Sequence, residues 1–510
     1  MAIYERISDV PRRRYRVKSP VTLEPIGEFE AATADEVRAA VERARKAQAG
    51  WAALPVKERA AYAWRLLDQF VKRQDEIIEA VLQETGKARS EAIGMEVFAC
   101  CDSISYYAKR APRFLAPEKR RIHGLMGFAK RLRVVYKPLG VVGLITPWNG
   151  PVVLAVNPLV QAVLAGNAVV HKPSEVTPFS ALVVKKLTEA AGFPPDLYQV
   201  VQGDGQTGAA LIEAGVDKVS FTGSVATGRK VAEACGRRLI PVTLELGGKD
   251  AMIVCADADL DRAAQGALLG SCMNTGHYCC GTERIYVMDS IYDAFVAKVV
   301  ERAKQLRQSD SGETDVGAVF WDQQMKIIED HMADAVAKGA KVLVGGRRNP
   351  RLAGLYYEPT VVVDVNHDMD LMRKETFGPI VAIQKVSNEE EALRLANDSD
   401  YGLNGNVWTL DAEKGQRLAE RMATGGVCVN DMAITYGIPE APFGGVKESG
   451  VGQVNGAQGI RGYCHAHPIL SDKKGKGPIQ GGYPYTRKKE DGMQKFIRFL
   501  WGTPIGRWLA

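Results

Sequence analysis

Long apolar runs are missing from this 510-residue chain. The longest, Val152–Ala165, is broken by Asn157, Pro158 and Gln161 and is too short to cross a bilayer as a helix. The opening stretch Met1–Val10 carries Glu5 and Asp9 and no apolar core, so no secretory signal is expected there. Cysteine is scarce: nine residues, an odd number, with none of the spacings of a small disulfide scaffold. A chain this long needs no such staples, and free thiols in a reducing, cytoplasmic setting are expected. With 46% apolar and 25% charged residues the composition is that of a globular protein, which excludes a disordered chain, a collagen and a coiled coil. At roughly 150 residues per domain the length suggests about three domains. Glycine, by contrast, is plentiful at 51 residues and predicts many tight turns or close backbone approaches.

A pervasive excess of one charge is also missing. The formal charge is +6, but residues 471–510 hold nine Lys/Arg against three Asp/Glu, which leaves 57 of each sign in the rest. A neutral body with a basic tail does not read as a nucleic-acid binder.

Along the chain, Thr33 reads as an N-cap with Glu36 three residues later, ahead of Val37, Ala40, Val41, Ala44 and Ala47 at helical spacing. One long helix is predicted from Val56 to about Thr85, stopped by Gly86. From Val134 onward short apolar runs alternate with helices: Val141–Ile145, a helix to Ala165, Ala168–His171, a helix Ser180–Ala191, strands Leu197–Val201 and Lys218–Phe221, and a helix opened by Ser224. This alternation predicts an α/β fold with a parallel sheet, and it restarts after Ala251 to give a second α/β unit to about Val429. Lys473–Pro484 reads as a linker.

Four stretches carry chemistry. Cys279, in Asn274-Thr-Gly-His-Tyr-Cys-Cys-Gly, is a candidate nucleophile, because part of a thiol is thiolate near neutral pH. Taken alone it would more often be a buried structural thiol. Glu245, in Leu-Glu-Leu-Gly-Gly-Lys, lies in an apolar run, where a carboxyl has its pKa raised and can act as a general base. Thr146-Pro-Trp148-Asn149-Gly150 follows a strand, at the end where open α/β sheets bind ligands, and the Asn149 amide could stabilise an oxyanion. Lys172-Pro-Ser-Glu175 and Phe221-Thr-Gly223-Ser224 form a phosphate and ribose kit, the second opening a helix whose N-terminus suits a pyrophosphate. A literal G-x-G-x-x-G, Gly203–Gly208, follows a strand, but no acidic residue ends a strand about 20 residues on. Its role stays open, with Gly205 placed among the cofactor contacts.

In order and spacing, Asn149, Lys172, the Phe221 turn, Glu245, Cys279, Glu375-Thr-Phe377-Gly-Pro and Pro442-Phe-Gly-Gly resemble the aldehyde dehydrogenase superfamily, from about Ser19 to about His467. The resemblance implies a Rossmann-type cofactor domain (1–116 plus 139–249) and a catalytic α/β domain (250–446). A small β oligomerisation flap (117–138 plus 447–470) and an appended tail (471–510) complete the expected layout. It implies Cys279 as nucleophile, Asn149 and the Cys279 N–H as oxyanion hole, and Glu245 as the base that hydrolyses the thioester. Lys172, counted with the catalytic set, and Glu175 match the adenosine-ribose contacts. Ser224 matches the pyrophosphate contact, Glu375 the nicotinamide-ribose contact, Phe377 sits beside the ring, and Trp148 lies near a cofactor ribose. A carboxylate at Glu175 would repel a 2′-phosphate, so NAD is favoured with NADP possible.

The family's usual Gln is His277 here, and its usual Glu after Gly452 is replaced by Val454. Gly150, Leu154, Tyr278 and Cys280 suggest a roomy, largely apolar substrate tunnel, suited to medium or long aliphatic or aromatic aldehydes. The rivals are a CoA-acylating or semialdehyde dehydrogenase and a non-catalytic, crystallin-like binding protein. A homodimer or homotetramer follows from the resemblance. Cys464-His-Ala-His467 offers too few ligands for a metal site, and none is expected. In the tail, Phe496, Ile497, Leu500 and Trp501 share a helical face near Lys495 and Arg498. It could pack on the body or a neighbouring subunit, lie on an anionic membrane surface as a peripheral contact, or be loosely ordered.

Overall fold

Two parallel sheets, each wrapped by helices, carry the body. The computed structural model describes residues 2–10, 12–477, 479 and 482–509. In the first sheet the parallel strands Val242–Glu245, Lys218–Thr222, Val141–Ile145, Ala168–Lys172 and Tyr198–Val200 lie side by side in that order, with Gly450–Val451 added antiparallel at the Val242 edge. In the second, parallel strands Thr360–Val363, Ile380–Val386, Thr282–Met288, Asp250–Val254, Gly405–Trp408 and Cys428–Val429 follow one another, with Lys341–Val344 antiparallel at one edge. Val141–Ile145, Ala168–Lys172 and Asp250–Val254 are buried throughout, which explains why they read as unbroken apolar runs rather than alternating ones.

The helical expectations hold with one division. Thr33 and Glu36 form a reciprocal capping box at Ala34–Ala53. The predicted long helix is two, Val56–Lys72 and Gln74–Thr85, because Arg73 leaves helical geometry at φ −115° and ψ 27°. Gly86 ends the second in the left-handed conformation. The G-x-G-x-x-G stretch opens the helix Gly205–Glu213, capped by Asp204, which in turn accepts from the Tyr15 hydroxyl at 2.6 Å.

The layout differs from the sequence expectation at three places. The flap sheet comprises Glu118–Arg120, Lys130–Pro138 and Cys464–Asp472, so its return strand starts later than residue 447 and ends past 470. Residues 447–463 instead divide between the two bodies: Gly450–Val451 extends the first sheet, and Ile460 and Tyr463 lie in its core, while Val454 packs in the core of the second. At the other end of the chain, Ile3 is buried in the catalytic-domain core and its N–H binds the Asp322 carboxylate at 2.8 Å, so the N-terminal strands tie the two domains together. The tail forms two helices, Arg487–Gly502 and Pro504–Leu509. No helix among the described residues is long and apolar enough to cross a membrane.

Candidate active site

Four neighbouring strands of the first sheet end at one cleft. Val141–Ile145 runs into Thr146, Trp148 and Asn149; Ala168–Lys172 ends on Lys172 itself; Lys218–Thr222 runs into Gly223 and Ser224; Val242–Glu245 ends on Glu245. The second sheet faces the cleft with its amino ends, since Cys279 precedes Thr282–Met288 and Glu375–Phe377 precedes Ile380–Val386. The resulting cavity, about 730 Å³, is lined by Thr146, Trp148, Asn149, Lys172, Glu175, Gly205, Phe221, Gly223, Ser224, Glu245, Cys279, Glu375 and Phe377.

Three of these side chains carry the reactive character. Glu245 is buried, and neither of its carboxyl oxygens has a hydrogen-bond partner within the protein. Burial, and then the nearby Cys279, push its pKa well above the ordinary carboxyl range. Cys279 is partly exposed to the cleft. Cys280, through its thiol and its backbone N–H, holds the Cys279 thiol below its ordinary value against the opposing effect of burial. Asn149 donates through Nδ2 to the His277 carbonyl at 3.0 Å, which fixes its amide beside the cysteine loop.

Close packing explains the glycine pair after Glu245. A Cβ on Gly247 would lie 2.2 Å from a Glu375 carboxyl oxygen, and one on Gly248 would lie 2.4 Å from the Cys279 carbonyl oxygen. The Gly248 N–H donates to Glu375 at 3.0 Å. Burial raises the Glu375 pKa to about 8. Phe377 holds a left-handed φ of 51°, a strained setting for an aromatic residue. Glu283 sustains it by accepting the N–H groups of both Thr376 and Phe377 at 2.8 Å, while itself paired with Lys249.

The cysteine loop is braced from below, by its own first residues and by others that no motif announces. Asn274, Thr275 and Gly276 form a left-handed run with φ of 55°, 58° and 75°. The Asn274 N–H donates to Glu91 at 2.7 Å, and its side chain donates to the carbonyls of Asn149 and His277 at 2.9 and 2.8 Å. Lys87 and Glu96, both fully buried, pair at 2.6 Å. Lys87 also donates to the Asn149 carbonyl at 3.1 Å, and Glu96 accepts the N–H groups of Val152 and Val153 at 3.1 and 2.9 Å. Glu91 precedes and Glu96 lies in a π-helical segment, Ala92–Phe98, an uncommon geometry that favours functional positions. His277 stacks on Phe320 at 4.6 Å, and burial drives its pKa down to about 3, so its neutral ring donates Nδ1–H to the Asn274 carbonyl.

Four expected substrate-pocket residues lie away from this cavity's lining. Leu154 is buried in the cofactor-domain core. Gly150 offers little free room, since a Cβ there would meet Val153 and Leu154 at 3.1 and 3.2 Å. Cys280 is buried, with its thiol 3.6 Å from the Ala433 carbonyl, and Tyr278 donates to that same carbonyl at 3.2 Å. Cys280 packs in the catalytic-domain core.

The donor set fits a dinucleotide. Gly205 lines the cavity with nothing within 4 Å of where its Cβ would stand, so the backbone is open to a close approach. Ser224 caps the helix Val225–Arg237, whose first N–H groups suit a pyrophosphate. Lys172 and Glu175 pair at 2.9 Å at the rim. His465 and His467 stand alone, and no group of three metal-ligating side chains occurs among the described residues.

Comparison with known proteins gives the family. The model of the aldehyde dehydrogenase family matches residues 7–469. A relative from Mycolicibacterium smegmatis (strain ATCC 700084 / mc(2)155), with the provisional name succinate-semialdehyde dehydrogenase (NADP(+)), is 41% identical over 456 residues, covering 89% of this chain and 87% of its own. A 4,4'-diapolycopene aldehyde oxidase from a Methylomonas species is 38% identical over 486 residues, covering 95% of this chain and 91% of its own. The crystal structure of a Mycobacterium tuberculosis aldehyde dehydrogenase complexed with NAD+ superposes with a TM-score of 0.85 at 34% identity, covering 89% of this chain and 94% of the other.

Proposed function

This chain belongs to the aldehyde dehydrogenase family, and from that premise we propose that it oxidises an apolar aldehyde, medium- or long-chain aliphatic or aromatic, to the carboxylic acid by the hydrolytic route. It is an NAD(P)-dependent enzyme. The observation that carries the hydrolytic reading is Glu245: a buried carboxyl without a protein partner, at the same cleft as Cys279.

In the proposed sequence the Cys279 thiolate adds to the aldehyde carbon, and the charge gathers on the former carbonyl oxygen. One Nδ2 hydrogen of Asn149 is used on His277, and the other is free for that oxygen, with the Cys279 N–H beside it. When bound, the nicotinamide nucleotide supplies the hydride acceptor. Loss of hydride from the adduct leaves a thioester on Cys279. Glu245 then takes a proton from water, the water oxygen attacks the thioester carbon, and the Cys279 thiolate departs as the acid forms. Lys172, Glu175, Ser224, Glu375 and Phe377 hold the nucleotide. We favour NAD over NADP because the Glu175 carboxylate opposes a 2′-phosphate.

The apolar substrate class is supported by likeness to the relative named for a diapolycopene aldehyde. A semialdehyde dehydrogenase is the second reading, favoured by the other relative's name. Assembly as a homodimer or homotetramer through the flap sheet is part of the proposal, as is work in the cytoplasm, in keeping with nine free thiols. The test is nucleotide reduction across aliphatic aldehydes of rising length, aromatic aldehydes and succinate semialdehyde, with and without CoA. CoA-independent turnover that rises with chain length and vanishes in Cys279→Ala is expected. A strict CoA requirement, or a preference for the semialdehyde, overturns the reading.

A further inference from the structure

The C-terminal helices pack on each other through Leu500 and Gly506, and nearly all their other residues are exposed. Gly506 permits the close turn, since a Cβ there would lie 2.1 Å from the Phe499 carbonyl oxygen. The pair leaves Met493, Phe496, Ile497, Trp501, Ile505 and Trp508 open to solvent, the last 85% exposed. Isolated exposed apolar residues are ordinary, but this many on two short helices form a surface that a free soluble protein does not leave uncovered.

The charge beside that surface says what covers it. The two helices carry Arg487, Lys488, Lys489, Lys495, Arg498 and Arg507 against Glu490 and Asp491. None of these six cations forms an ion pair among the described residues, although ion pairs are common over the rest of the surface. The body, with its 57 charges of each sign, offers no overall acidic counterpart. An aromatic-rich apolar face flanked by unpaired cations matches a bilayer interface, where Trp and Phe enter the headgroup boundary and Lys and Arg meet anionic lipid.

We propose that the helical pair Arg487–Leu509 is a peripheral docking surface for an anionic phospholipid bilayer. It lies in the interface rather than crossing it. The inference is independent of which aldehyde is oxidised, and its vesicle-binding assay contains none.

The test is co-sedimentation of the purified full-length protein with phosphatidylcholine vesicles, with and without an equal part of phosphatidylglycerol, alongside light scattering of the protein alone. Pelleting with the mixed vesicles, released by high salt and absent with phosphatidylcholine alone, is expected. Trp501→Glu combined with Trp508→Glu should abolish pelleting and leave vesicle-free turnover unchanged. Lys495→Gln with Arg498→Gln should weaken it by about 25-fold, at about fivefold per charge. Two results overturn the proposal: full-length protein that stays in the supernatant at low salt, or a tryptophan double variant that changes the oligomeric mass and still pellets. The second would assign the face to another copy of the chain.

Discussion

Replacing Glu245 by Gln tests the proposed division of labour most directly. The change keeps shape and volume at the end of a strand whose ladder is made by backbone groups, so the fold is left intact. Neither carboxyl oxygen is engaged by the protein, so no existing contact is lost. What disappears is the acceptor for a proton from water, and a positioned general base contributes on the order of 10² to 10⁴ in rate. Within the cavity lining the other carboxyls are occupied: Glu175 by Lys172, Glu375 by the Gly248 N–H. Val454, where the family often carries a relay carboxylate, is buried in the catalytic-domain core. With no bypass, the steady-state rate should fall by about a thousandfold, or about 4 kcal/mol at 1.36 kcal/mol per decade. The stopped-flow burst of reduced nucleotide, one per active site, should persist, since acylation does not use Glu245. In the unsubstituted enzyme the steady-state rate should rise with pH as Glu245 ionises, and Glu245→Gln should flatten that limb. A steady-state loss below about tenfold, or a burst lost together with turnover, would refute the assignment.

Three further outcomes follow from the same geometry. Lys87→Met strands the buried Glu96 charge and should cost about 3–5 kcal/mol in urea unfolding, part of which returns when Glu96→Gln is added; a loss below about 1 kcal/mol would contradict the pairing. Glu175→Gln should raise kcat/KM for NADP relative to NAD by about tenfold, and an unchanged ratio would remove Glu175 from cofactor choice. Glu375, raised from 4.5 to about 8, binds a proton in the folded state that the unfolded chain has released. Its contribution to the nucleotide-free enzyme's stability is therefore fully present below about pH 4.5 and declines by up to about 1.4 kcal/mol per pH unit until about pH 8. Thermal melts of the protein and of Glu375→Gln should diverge in that sense across the window.

Much of the cleft was legible because each reactive residue sits at a strand end flanked by punctuation. Glu245 is followed by Leu246 and then two glycines, Asn149 by Gly150-Pro151, and the Phe221 turn by Gly223-Ser224. Burial on both faces wrote the strands as apolar runs, which set the α/β class. The supporting groups were illegible for the opposite reason. Lys87, in the loop after Gly86, and Glu91 and Glu96, on the helical stretch that follows, are remote in sequence from Asn149 and Asn274, and a single buried charge leaves no periodic mark. Glu283 is one more acidic residue in a strand until the left-handed turn at Phe377 shows which N–H groups it holds. The flap boundary was missed because the residues from Gly450 to Tyr463 change partner sheets without a change in composition.

The short crossover from Glu245 to Asp250 joins the two sheets, and its tight packing limits how the enzyme can move. Gly247 is wedged against Glu375 and Gly248 against the Cys279 backbone. Any motion that presses one domain toward the other at this link would meet the Glu375 carboxylate and the Cys279 carbonyl at these two glycines. Cofactor exchange and product escape are therefore expected to draw on rearrangement at the rim more than on compression at this link. Base and nucleophile would then stay in register. A nucleotide analogue tethered at the rim should thus block turnover without altering the separation of the two sheets.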